Sequence, residues 1–171
     1  GGPGWEQIAT TGRRLGTVTL AAIGHNGGQG TSAYSQRELW APSGVPEVNT
    51  REVPKVMETD DIEQVVASFG DAARSAIGRG LHGVEVNAGQ HSLIRQFLSG
   101  LTNLRDDAYG TDRGRFSREV LHAVRVGAGE QAVVGLRLSC DELAPWAGIV
   151  PDAAAEIAVA LAPWIDYLVV V

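Results

Sequence analysis

The stretch from Thr59 to Asn87, TDDIEQVVASFGDAARSAIGRGLHGVEVN, decides the fold class. Ile62, Val65, Val66, Phe69, Ala73, Ala76 and Ile77 recur at three- and four-residue steps, the period of one buried helix face. Asp60 with Glu63 reads as a capping box, and Gly78 or Gly80 as the stop. Gly83-Val84-Glu85-Val86-Asn87 follows as a short β-rich run. The unit is helix, tight glycine turn, strand.

On either side the same alternation repeats. Phe116 to Val126 reads as a helix with Phe116, Val120 and Val124 inward, and Val133 to Leu138 as the strand after it. Pro151 suits the first helical position of Pro151 to Leu161, whose apolar face is Ala154, Ile157, Ala158 and Leu161; Asp166 to Val171 is a further strand. Upstream, Trp5 to Arg14 reads as a helix and Thr17 to Ile23 as a strand, so the order is (αβ)4. Strands apolar throughout, between amphipathic helices, predict an α/β fold with a parallel sheet, either doubly wound or a β/α barrel. Gly24-His25-Asn26-Gly27-Gly28-Gln29-Gly30 does not carry the Gly-x-Gly-x-x-Gly fingerprint and reads as a flexible turn. Two long connections, Gly24 to Glu58 and Ala88 to Arg115, lack helical period. They leave the carboxyl ends of strands, where parallel α/β folds keep their active sites.

Composition bounds the partners. The 171 residues hold 14 Lys and Arg against 20 Asp and Glu, a net charge of −6, with 44% hydrophobic residues. One domain, residues 1–171, is expected. An acidic balance argues against nucleic acid, whose phosphates need a basic surface. No apolar run approaches the roughly 20 residues that span a bilayer, no signal-peptide core opens the chain, and Cys140 is the sole cysteine, so a cytoplasmic protein with no membrane partner is expected. Lys55 is the only lysine and lies in a proline-flanked stretch without a phosphate-cradling glycine loop. The chain begins on Gly1 rather than methionine, which suggests a portion of a longer product.

Strand ends collect the candidate site: His25, Asn87, Gln90, His91, Arg137, Ser139, Cys140 and Asp141. Each also has a plain alternative, loop packing for His25, turn capping for Asn87 and solvation for Gln90 and His91. Arg137 is the most informative, because an arginine inside the apolar run Val133 to Leu138 needs a carboxylate or an anionic ligand; a ligand role is expected. No Gly-x-Ser-x-Gly elbow marks a hydrolase triad. His82 and His122 read as surface residues, and the four histidines show no His-x-x-x-His spacing, so no metal site is expected.

Gly83-Val84-Glu85-Val86-Asn87, Gln96-Phe97-Leu98-Ser99-Gly100 and Asn103-x-Arg105-x-Asp107-x-Tyr109-Gly110 together resemble the signature of the Old Yellow Enzyme family of flavin-dependent oxidoreductases. Val134 to Ser139 is similar to that family's fifth strand, and Leu39-Trp40-Ala41-Pro42-Ser43 to the loop after its third. The resemblance implies an FMN-binding TIM (β/α)8 barrel that passes hydride from NAD(P)H to the flavin and on to a small-molecule acceptor such as an activated alkene. By this resemblance Arg137 contacts the flavin's pyrimidine edge, His25 falls on the histidine of the Gln-Leu-x-His-x-Gly-Arg motif, and Ala22 takes that motif's glutamine position. The pair that holds the acceptor's oxygen falls on Asn87 and Gln90, and the Gly-Tyr proton-donor position on His91 and Ser92. Asn87 to His91 together with Cys140 to Gly148 resembles a subgroup found alongside the mycofactocin redox-peptide system.

A complete barrel has eight strands in about 250 residues, and four are read here, the third to the sixth by resemblance. Such a partial barrel has two open parallel edges that invite pairing with another copy. Three functions follow: an FMN oxidoreductase present in part, a noncatalytic half-barrel that dimerises and binds a ligand between Asn87 and Arg137, or a different β/α enzyme using His91 or Cys140.

Overall fold

The computed structural model describes residues 2–171, the side chain of Tyr34 excepted. In chain order the elements are α1 (Gly2–Arg14), β1 (Leu20–Ile23), a 3-10 turn (Gly27–Gln29), α2 (Ser32–Ser35), β2 (Trp40–Ala41), β3 (Lys55–Val56), α3 (Thr59–Gly78), β4 (Gly83–Ala88), α4 (Leu93–Leu98), α5 (Ala108–Thr111), α6 (Arg115–Ala128), β5 (Val133–Leu138), α7 (Pro151–Leu161), a second 3-10 turn (Ala162–Trp164) and β6 (Tyr167–Val170). Strands β1, β4, β5 and β6 form one parallel sheet in that order, and β2 pairs with β3 separately. α3 and α6, which connect successive neighbours, pack against each other and against the sheet on one face. The strand order never reverses, as it would at the switch point of a doubly wound sheet, so the barrel alternative is the one realised.

The strands are not apolar throughout, which corrects the sequence expectation. Val84, Val86 and Ala88 of β4 and Val134, Leu136 and Leu138 of β5 are completely buried on the helix side. Glu85, Asn87 and Arg137 alternate onto the open face, as the two-residue period of a strand demands, and are only partly buried. One face is sealed by helices and the other is free to carry polar groups.

α3 buries Ile62, Val65, Phe69, Ala73 and Ala76, the face its spacing predicts. Its capping box is Glu58 with Asp61, not Asp60 with Glu63: Asp61 Oδ2 accepts from Glu58 N–H at 2.9 Å. Lys55 Nζ sits 2.8 Å from the same carboxylate and holds it at the helix start. α3 then crosses α6 backbone to backbone. A Cβ on Gly127 would lie 2.1 Å from the Gly70 carbonyl oxygen, so only glycine permits the approach.

Both long connections carry structure of their own. The first holds the 3-10 turn, α2 and the β2–β3 ribbon, in which Lys55 N–H donates to Leu39 O at 2.7 Å and Met57 N–H to Ala41 O at 2.9 Å. The second holds α4 and α5. Phe97 of α4 stacks on Phe116 of α6 at 4.2 Å between centroids and meets Tyr109 edge-on at 6.1 Å. α4 shows no amphipathic period because five of its six residues, Leu93, Ile94, Gln96, Phe97 and Leu98, are buried. His122 is exposed as expected. His82 is not a free surface residue, for its Nδ1 accepts from Thr19 N–H at 3.1 Å and joins the starts of β1 and β4. Among the described residues no helix is long and apolar enough to cross a membrane.

Candidate active site

The motif that carries most of the family resemblance is a fastening, not a reaction centre. Asn103, only 1% exposed, donates from Nδ2 to Phe97 O at 2.7 Å and Tyr109 O at 2.9 Å. Arg105 pairs with Asp107 and donates from Nη1 to Pro42 O at 3.0 Å and Met57 O at 2.7 Å. Asp107 Oδ1 in turn caps α5 by accepting from Tyr109 N–H at 3.0 Å. Gln96 clamps the glycine loop: its Oε1 accepts from Gly28 N–H at 2.9 Å and its Nε2 donates to Asn26 O at 2.8 Å. The side chains that distinguish the family thus hold the loops after β1 and β4 over the sheet end.

Beneath those loops a cleft of about 630 Å³ opens on the helix-free face, lined by Ala22, Gly24, Asn26, Glu85, Asn87, Gln90, Arg137 and the chain's last residue. Register puts Ala22 beside Glu85, Glu85 beside Gly135, Gly135 beside Tyr167, and Asn87 beside Arg137. Arg137 Nε donates to Glu85 Oε1 at 2.9 Å, and its side chain is 42% exposed. Its two Nη groups have no hydrogen-bond partner among the described residues and are left to the cleft. Asn87 Oδ1 accepts from Gly89 N–H at 3.0 Å, which leaves the amide Nδ2 as its free donor.

The structure therefore brings Ala22, Asn87, Gln90 and Arg137 together. His25 lies beside this cleft but lines a neighbouring groove with Trp40 and Ser68. Its Nδ1 accepts from Gly27 N–H at 2.9 Å, and burial holds its pKa below the usual value, which keeps the ring neutral with the proton on Nε2. His91 is exposed, in a left-handed turn with φ of 55°, and does not line the cleft. Ser92 is completely buried and caps α4, its Oγ accepting from Arg95 N–H at 3.1 Å. Cys140 Sγ lies 3.5 Å from Leu138 O, away from the cleft lining.

The sequence profile of the NADH:flavin oxidoreductase / NADH oxidase family matches residues 3–170. The chain belongs to this family. NADH-dependent flavin oxidoreductase nadA of Aspergillus parasiticus is 36% identical over 165 residues, 92% of this chain and 37% of that protein. The multifunctional alkene reductase/demethylase OYE of Caballeronia cordobensis is 38% identical over 134 residues, 74% of this chain and 19% of that protein. Among solved structures, morphinone reductase superposes with a TM-score of 0.86 at 27% identity, covering 98% of this chain and 50% of that one. 2-Naphthoyl-CoA reductase gives 0.88 at 25% identity, covering 98% of this chain and 28% of that one. The Old Yellow Enzyme resemblance stands, and the fold is a portion of a TIM barrel. This chain spans half or less of the length of each of these proteins.

The residues of the cleft fit the family's flavin. A free guanidinium edge, an oriented amide donor and the small residues Ala22 and Gly24 suit the flat, polar pyrimidine side of an isoalloxazine. The cleft volume also falls within the roughly 300–1,000 Å³ of small-molecule sites. Three residues that matter to this site escape a reading based on strand ends. Asn26 belongs to the glycine loop; Glu85 and Tyr167 lie within strands, and only the two-residue alternation Glu85-x-Asn87, matched to Arg137 across the sheet, signals a polar face.

Proposed function

We propose that this chain supplies the central portion of an FMN-dependent NAD(P)H oxidoreductase acting on a small-molecule acceptor, with residues 1–171 one continuous domain of the barrel. The observation that carries this reading is Arg137, fixed through Nε to Glu85 with both Nη groups free beside Asn87. Bound FMN would supply the hydride relay between nicotinamide and acceptor. Arg137 would hold the pyrimidine edge and stabilise the negative charge that reduction places there. Asn87 Nδ2 and the Gln90 amide would donate to the acceptor's oxygen and orient it. The cleft-lining residues bind and polarise; His91 and Ser92, at the family's proton-donor positions, lie outside the lining. Ala22, within β1 in the cleft wall, and His25, in the loop beside it, take the glutamine and histidine positions of the family's motif, and alanine at the first of them gives up the polar group that glutamine would supply.

The test is reconstitution of the full-length protein with FMN. Quenching of the free flavin's fluorescence and anaerobic bleaching by NADH or NADPH are expected; a protein that stays colourless with excess FMN overturns the reading. The pattern Asn87 to His91 with Cys140 to Gly148 favours the mycofactocin-associated subgroup, and the single cysteine a cytoplasmic setting.

A further inference from the structure

We propose that Glu85 and Tyr167 are positioning residues that set both the orientation and the effective charge of the Arg137 guanidinium toward the flavin; this rests on the flavin reading above. The three side chains form one chain of contacts over three strands: Tyr167 Oη on β6 donates to Glu85 Oε2 at 2.9 Å, and Glu85 Oε1 on β4 accepts from Arg137 Nε on β5 at 2.9 Å. Gly135 makes this possible. It lies between Glu85 and Tyr167 in the register, and a Cβ there would come within 2.1 Å of the Tyr167 ring, so the ring reaches Glu85 only across a bare backbone. Large side chains from β4 and β6 thus meet over the small residue of the strand between them, the way alternate strands fill a layer of a barrel interior.

The consequence is electrostatic as well as steric. With one face of the guanidinium bound, the Nη groups have a fixed direction. The carboxylate also offsets part of the arginine's charge, and the Tyr167 hydroxyl draws off part of the carboxylate's. Anything that shifts this balance changes how strongly Arg137 favours an anion on the flavin.

Sulfite, which adds to oxidised flavin as an anion, reads this property without turnover in the FMN-loaded full-length protein. Glu85→Gln keeps an oxygen for Arg137 Nε and removes the negative charge, so the sulfite dissociation constant is expected to fall about threefold, the effect of one partly exposed charge pair. Tyr167→Phe leaves the carboxylate undiluted and should raise it by about twofold, a shift of opposite sign. A purely structural role lowers the thermal midpoint of either variant and leaves sulfite affinity unchanged; flavin-loaded variants with wild-type affinity overturn the proposal. If Glu85→Gln fails to fold, the sign of the Tyr167→Phe shift decides alone. Wild-type protein that takes up no flavin overturns the functional reading as well, which separates the two failures.

Discussion

Arg95 of α4 and Glu142 of the loop after β5 form a buried ion pair, their side chains 12% and 5% exposed. Glu142 Oε2 also accepts from Ser99 Oγ at 2.5 Å and Ile149 N–H at 2.7 Å, while Arg95 Nη2 donates to Gln29 Oε1 at 2.7 Å. One pair thereby ties together the loops that follow β1, β4 and β5, the first two of which line the cleft. Glu142→Ala would leave the guanidinium buried without a counter-charge. A loss of about 3–5 kcal/mol is expected in urea denaturation; a loss under about 1 kcal/mol, the size of a surface pair, would refute the role.

Asn103 satisfies two buried carbonyls at once, Phe97 O and Tyr109 O. Asn103→Ala should therefore cost about 2–4 kcal/mol, two unsatisfied acceptors at 1–3 kcal/mol each with partial relief. Chemical denaturation followed by circular dichroism checks it. A neutral substitution would mean that water replaces the amide.

Tyr109 and Tyr167 predict an alkaline limit. Burial first, then a hydrogen bond to Glu119 or Glu85, pushes each hydroxyl from 10.0 up to about 12. A folded-state value above the unfolded one stabilises below pH 10, where both states are protonated; that stability drains away as pH rises from about 10 to about 12, because only the unfolded chain ionises. The thermal midpoint should fall across that window, and the fall should be shallower in Tyr167→Phe. Equal slopes in wild type and variant would contradict the shift.

Asn87 and Arg137 should separate in kinetics. In the FMN-loaded protein, Arg137→Leu removes the charge that the proposed reading sets against the developing anion, and flavin reduction should slow by about a hundredfold. On the proposed reading Asn87→Ala removes one hydrogen bond to the acceptor, which should raise the acceptor's KM about fivefold with little effect on flavin reduction by NAD(P)H. Stopped-flow measurement of the two half-reactions distinguishes them, and a slowed reductive half-reaction in Asn87→Ala would overturn the division of roles.

Much of the fold was legible because α3, α6 and α7 each lie on the sheet and so show a 3.6-residue period in their apolar residues. α4 left no such trace, since five of its six residues are buried and no solvent face breaks the pattern. The capping box moved from Asp60 and Glu63 to Glu58 and Asp61 because Lys55, a residue outside the helix, holds Asp61. In the site, Asn87, Gln90 and Arg137 were readable as polar residues at strand ends. His91 and Ser92 follow them directly in the chain but leave the cleft, one into a left-handed turn and the other into the cap of α4.

The order of helices and strands, the strand ends that bear polar groups and the family signature are local properties, and the amino-acid sequence determined them through periodicity and short motifs. Which groups face one another was decided only by the tertiary structure. Arg137 finds Glu85 fifty-two residues earlier, and Tyr167 reaches the same carboxylate across Gly135. Such contacts depend on strand register, which is fixed only once the alternating apolar residues of each strand pack beneath the helices on the other face of the sheet.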